Sequence, residues 1–222
     1  MKKYAFLFIS LLITVFVISG CNYFHDGKIS QDKLPWTKSG QVMMIENFDN
    51  PKTNWEEVSN AYELKRYSQQ GYFISVIPIN ARAISTSGKV FSDAKFSVEV
   101  QKITGSLNTN YGLICRYQDK HNFYGFVVAT DGYAGIYIVK NGQTQLLSGE
   151  KFMFTEVINQ DDGVNMIVAS CTGDQLSLTV NAEEIITVKD SNFINGELGI
   201  FLETIDEGNA SATFNEFIVV KP

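Results

Sequence analysis

From Gln41 to Pro222 apolar and polar residues alternate in short runs, and no long stretch places apolar residues at the three-and-four spacing of a helix. Runs such as "GYFISVI", "KFSVEVQKI", "YGLICRY", "FYGFVVA", "YAGIYIV", "QLSLTV" and "FNEFIVV" are rich in β-branched and aromatic residues, and turn residues separate them. This pattern predicts an all-β fold, an antiparallel sandwich of two sheets. No internal repeat and no low-complexity tract interrupts it.

The turns predict a register. "DKHN" (119–122), "DG" (131–132) and "NG" (141–142) join four strands as a meander, the last two as two-residue loops of the type that accepts positive φ. Gln118 then faces Phe123, Thr130 faces Tyr133, and Lys140 faces Gln143. One face collects Leu113, Cys115, Tyr124, Phe126, Val128, Tyr137 and Leu146. The other collects Ile114, Arg116, Phe123, Gly125, Val127, Ile136, Ile138, Lys140, Gln143 and Gln145. In a second hairpin, a "GD" turn at 173–174 sets Ile167, Ala169 and Cys171 beside Leu176, Leu178 and Val180. Ser177 and Thr179 fall on the solvated side, so Cys171 points inward.

At the N-terminus the pattern changes. Lys2 and Lys3 precede the apolar run "AFLFISLLITVFVI" (5–18), followed by Ser19, Gly20 and Cys21. A basic head, a short apolar run and small residues before a cut describe a secretory signal peptide. The run is shorter than the ~20 residues a spanning helix needs. "ISGC" resembles the lipobox of bacterial lipoproteins, which implies lipidation at Cys21 and anchoring to a membrane outside the cytoplasm. An ordinary signal peptide or an uncleaved anchor helix is the alternative. The expected organisation is therefore a signal peptide over 1–20, a lipidated tether over 21–40 and one sandwich domain over 41–222. A flexible tether of that length averages roughly 25 Å end to end.

Location gives the other cysteines a context. Cys115 and Cys171 remain once Cys21 is lipidated, and in an oxidising compartment they form a candidate disulfide. Two separate buried thiols are the alternative. If the two pair, the Cys115 face is the core and Arg116 lies on the outer face, opposite the missing side chain of Gly125. The outer face is more apolar than a solvated sheet should be, which marks a groove or a surface covered by another segment.

The chain carries a net charge of −6; losing residues 1–20 removes two lysines and no acid and makes it −8. Such a balance argues against nucleic acid as a partner, where a basic stripe supplies most of the affinity. Only His25 and His121 are present, in the tether and in a tight turn, so neither a transition-metal site nor a serine–histidine relay is expected. Walker-type phosphate loops are absent from the sequence. Asp49 and Glu216, near the two ends of the domain, are weak calcium candidates through their oxygen ligands; no other cofactor is expected.

The run "GLICRYQD…NFYGFVVATDGYAGIYIVKNGQ", with the opening "ENFDNPKTNW" and the closing "FNEFIVV", resembles concanavalin A-like lectin/glucanase domains. It is most similar to the laminin-G-like and 3-keto-disaccharide-hydrolase-like members found in bacterial surface lipoproteins. The resemblance spans about residues 41–222 and implies a jelly-roll sandwich. In the hydrolase-like members an arginine ends the strand matching "YGLICR", and acidic and amide side chains follow on the next strand. Arg116 matches that arginine, but Gly125 and Val127 stand where the polar partners belong. The paired carboxylates of the glucanases, E-x-D-x-E on one strand, have no counterpart either. "ETIDEGN" (203–209) and "AEEI" (182–185) read as solvated loop and turn charge.

These readings favour a lipid-anchored binding module for a glycan or other surface polymer, with Arg116, Phe123, Gln143 and Gln145 as ligand-binding candidates. No catalytic residues are assigned. A divergent sugar hydrolase, drawing on Asp119 or Asp131 with Glu150, is one alternative. An envelope lipoprotein that docks a protein partner is the other.

Overall fold

The computed structural model describes residues 40–53 and 55–222, so the signal peptide, Cys21 and nearly all of the tether lie outside the described residues. The chain order opens with β1 (Val42–Glu46), β2 (Val58–Ser59), β3 (Glu63–Ser68), β4 (Gly71–Val76), β5 (Ala81–Phe91), β6 (Ala94–Thr104), β7 (Asn110–Asp119) and β8 (Asn122–Ala129). It continues with β9 (Tyr133–Lys140), β10 (Gln143–Leu146), β11 (Met153–Phe154), β12 (Asn165–Thr172), β13 (Gln175–Val180), β14 (Glu183–Lys189), β15 (Gly196–Thr204) and β16 (Ala210–Val220). The strands form two antiparallel sheets packed as a jelly-roll sandwich. One runs β14-β13-β12-β6-β16-β4-β3-β2, with β1 on β16; the other runs β10-β9-β8-β7-β15-β5, with β11 on β9.

Alternation explains what faces inward. In β12 and β13 the pairs Ile167–Val180, Ala169–Leu178 and Cys171–Leu176 are all fully buried, as the GD turn predicts. Facing them, Leu113, Cys115, Tyr124, Phe126 and Val128 supply the inner face of the second sheet. Cys115 and Cys171 are joined by a disulfide that ties the two sheets together. Aromatic rings close one side of the core: Trp55 lies 5.1 Å from Phe217 and 5.0 Å from Phe48, both edge-on. Each such ring contributes roughly 1.5–3 kcal/mol by leaving water. The whole core and the disulfide lie between Met44 and Val219, within one compact unit.

Two local features move the site away from where the turns alone would place it. The β8–β9 loop has three residues, not two: Val128 pairs with Ala134, and Gly132 sits at φ 95°. A one-residue slip turns every side chain of the strand over. Ile136 and Ile138 therefore enter the core, while Tyr137 and Val139 face outward. The β9–β10 pairing, Lys140 with Gln143, is as expected, so Gln143 and Gln145 follow Ile138 to the inner side.

The second feature is a bulge in β7. Cys115 pairs with Tyr124 and Asp119 with Asn122, so three residues of β7 oppose Phe123 alone. The excess of two preserves the alternation, which is why Cys115 still faces inward. Arg116, the first bulged residue, has φ 52°, in the left-handed region. Gly196 allows the neighbouring strand to approach there, since a Cβ on it would lie 2.3 Å from the Arg116 carbonyl carbon.

Candidate functional site

The left-handed turn at Arg116 takes its side chain off the outer face and into the sandwich edge, where it is 1 % exposed. There Nη1 donates to Phe193 O at 2.7 Å, Nη2 to Gly173 O at 2.8 Å and Nε to Ser92 O at 3.3 Å. Asp93 faces Nη2 at 3.4 Å and also accepts from Gly173 N at 2.9 Å. A guanidinium spent on three loops has no donor aimed at a ligand. The space over Gly125 is taken instead by the ring of Tyr137, within 2.1 Å of where a Cβ would stand.

The other candidates part company. Phe123 is on the outer face but fully buried, between Tyr117 at 5.8 Å and Tyr137 at 6.2 Å. Gln143 and Gln145 are exposed and line a separate depression of ≈ 460 Å³ with Lys140 and Asn192, whose side chains are bonded at 2.6 Å. Asp49 is exposed at a polar recess with Asn47, Gln69 and Asn215. Glu216 sits in a β16 irregularity at φ 51°, outside that recess. Among the described residues no group of three or more His, Cys, Asp or Glu side chains is placed to hold a metal ion.

The outer face of the second sheet carries a more complete constellation. Its strands alternate glycine with rings: Tyr137 covers Gly125, Phe152 covers Gly135, and Phe201 lies against Gly112. A bed forms from Phe123, Tyr137, Val127, Ile114 and Phe201. Above it sits Arg82 of β5, with its guanidinium carbon 5.1 Å from the Tyr137 ring and 5.6 Å from those of Phe123 and Phe201. Such stacking suits the weakly hydrated guanidinium.

One cross-strand row fixes the polar partners. Arg82, Glu203 and Asn110 stand side by side on β5, β15 and β7. Arg82 Nη2 donates to Glu203 Oε1 at 2.6 Å, and Asn110 Nδ2 donates to Glu203 Oε2 at 3.1 Å. Two buried polar atoms find no partner here, Arg82 Nε and Tyr137 OH. Burial pushes the Tyr137 phenol far above its ordinary value, against the opposing pull of the Arg82 charge, so it is a hydroxyl donor at neutral pH.

These residues line a depression of ≈ 470 Å³, closed on one side by Leu146, Lys151 and Phe152. It runs on into a shallower one of ≈ 330 Å³ bordered by Asp131 and Tyr133; Asn110, Lys151, Phe152 and Ile205 line both. Tyr133 and Phe154, both exposed, stack edge-on at 5.5 Å beside the shallow end. The groove thus offers an apolar floor, fixed hydrogen-bonding groups and an elongated outline. Glu203 is the only carboxylate lining its deeper part among the described residues, and it is tied to Arg82. Asp119 and Asp131 lie at opposite ends of the eight-residue β8, roughly 25 Å apart at strand rise. Glu150 lines neither depression.

Sequence reading missed Arg82, Asn110 and Glu203. The signal for Glu203 was present: in "GELGIFLE", Leu198, Ile200 and Leu202 alternate with Gly199, Phe201 and Glu203, which places the carboxylate opposite the core. "ARAIS" (81–85) carries the same alternation for Arg82, weakened by alanines that do not read as strand.

Solved structures share this sandwich. Carbohydrate-binding module CBM66 from Bacillus subtilis matches with a TM-score of 0.56 at 15 % identity, over 80 % of this chain and 95 % of its own. A Bacillus subtilis protein of unknown function with a galectin-like fold matches at 0.63 and 11 %, over 82 % and 96 %. A native glycosidic hydrolase matches at 0.58 and 10 %, over 81 % and 95 %. No family model and no curated protein matches the sequence. At these identities the likeness is one of fold.

Proposed function

We propose that this protein is a lipid-anchored, extracytoplasmic glycan-binding module whose ligand lies in the outer-face groove of the second sheet. The observation that carries the reading is the pair of unsatisfied polar atoms, Arg82 Nε and Tyr137 OH, on residues lining a groove to which Tyr137 and Phe152 contribute rings. Buried polar groups without partners are rare, and a bound ligand is one way to complete them. Sugars suit such a surface because their apolar faces stack on rings while their hydroxyls bond to fixed side chains. The carbohydrate-binding module and the glycosidic hydrolase among the structural neighbours are compatible with that ligand class. The anchor rests on the lysines, apolar run and "ISGC" of the N-terminus.

A polysaccharide array probed with the wild-type protein and Phe152→Ala tests the groove. Phe152 is half-buried over Gly135, so its loss strips one wall while sparing the core. Saturable binding that weakens by about tenfold in the variant, from one lost stacking ring, supports the reading. Undiminished binding places the ligand elsewhere. Labelling with radioactive palmitate, lost in Cys21→Ala, tests the anchor.

Docking of a protein partner is the second reading, favoured by exposed apolar residues on loops at one end of the sandwich. Ile79 is 63 % exposed and Leu107 60 %, and hydrogen bonds between Asn80 and Ile205 and between Ser106 and Asp206 bring their loops together. Retention of a specific envelope protein by the wild type but not by an Ile79→Ser, Leu107→Ser variant would favour it.

A further inference from the structure

The groove's hydrogen-bonding capacity is unevenly spent. Glu203, its deep acceptor, already takes Arg82 on one oxygen and Asn110 on the other. Arg82 Nε and the Tyr137 hydroxyl are unpaired but buried, while the exposed Lys151 ammonium has no ion-pair or hydrogen-bond partner among the described residues. A carboxylate brings acceptors only, with about four lone-pair sites on two oxygens.

Charge points the same way. Arg82 and Lys151 against Glu203 leave the deeper depression one positive charge in excess, although the chain as a whole carries −6. Asp131 borders only the shallower depression and offsets Lys151 there, so an anion is favoured in the part that Arg82 lines. Hydrogen bonds to an ionised acceptor are roughly twice as strong as neutral ones.

Building on the glycan-binding reading, we infer that the ligand is an acidic glycan whose carboxylate-bearing sugar sits in the deeper depression, between Arg82 and Lys151. The neighbouring sugar occupies the shallower depression beside Tyr133, and the chain leaves past Phe154.

Calorimetric titration of the full chain in a non-ionic detergent tests this with two matched pairs: oligogalacturonate with its methyl ester, and oligomannuronate with its carboxyl-reduced form. The acidic member of at least one pair is expected to bind about tenfold more tightly than its neutral partner, as one charge-assisted hydrogen bond would give. That preference should shrink to within about threefold in Lys151→Gln, an exposed substitution, and on raising salt from about 0.02 M to about 0.5 M. A neutral member that binds as tightly in both pairs, or a preference that survives Lys151→Gln, overturns the inference. If neutral members bind as tightly as acidic ones and Phe152→Ala abolishes that binding, the module reading stands while the acidic preference falls. If the folded chain binds no member of either pair and none of a wider polysaccharide array, both fall.

Discussion

Replacing Arg116 with alanine should destabilise the fold while removing no ligand contact. Its guanidinium is 1 % exposed and bonds the carbonyls of Phe193, Gly173 and Ser92. Alanine would leave the two short bonds, to Phe193 and Gly173, without donors, at roughly 1–3 kcal/mol for each buried acceptor that water cannot reach. Asp93, half-exposed, keeps its bond from Gly173 N and loses little. The φ of 52° stays unfavourable for alanine, so no backbone relief offsets the loss. A net cost of about 3 kcal/mol is a fair centre, or roughly 6–12 °C in Tm for a domain of this size. Thermal melts and urea titrations of residues 40–222, which contain the complete core and the disulfide, read it directly. Arg116→Lys should recover only part of the loss, because one ammonium cannot span three loops. A Tm within about 2 °C of wild type, a shift worth less than 1 kcal/mol, would refute the assignment of Arg116 as a structural pin.

Other outcomes follow from the same geometry. Reducing the disulfide, or replacing Cys115 and Cys171 with serine, should cost about 2–5 kcal/mol, seen as a lower urea midpoint. Gly125→Ala should displace the Tyr137 ring, 2.1 Å from the new Cβ, destabilise the fold by the roughly 1–3 kcal/mol of overpacking and weaken glycan binding by the folded variant; unchanged binding would separate that ring from the ligand. Above pH 10 the protein should lose stability. Burial raises Tyr111 and Tyr124 to about 12 and raises Tyr72 and Tyr137 further, so the unfolded chain releases these protons first and gains as pH rises from 10 towards 12. Ultraviolet titration of tyrosinate against circular dichroism should show these four buried tyrosines ionising together with unfolding, and their ionisation ahead of the unfolding transition would contradict it.

Much of the architecture was legible along the chain because a half-buried strand writes its burial into every second residue. The two-sheet sandwich, the inward face of β12 and β13 and the inward cysteine of β7 all follow from that period of two. The jelly-roll likeness could likewise be read from the runs between 111 and 143. What periodicity cannot carry is phase across an irregular junction. The loop after Ala129 has three residues and the bulge at Arg116 has two extra, and both depend on left-handed backbone that the surrounding strands hold in place. One added residue turned β9 over, exchanged Tyr137 for Ile136 and Ile138 and carried Gln143 and Gln145 away from the groove. One left-handed residue converted an expected ligand contact into a loop pin. The groove itself joins Arg82, Asn110, Tyr137 and Glu203 from four strands spread over more than half the chain. Their proximity arises from the β5-β15-β7 strand order, which no local pattern states. Sequence alone determined which faces could be buried; only the closed sheet decided which polar side chains would meet on the other side.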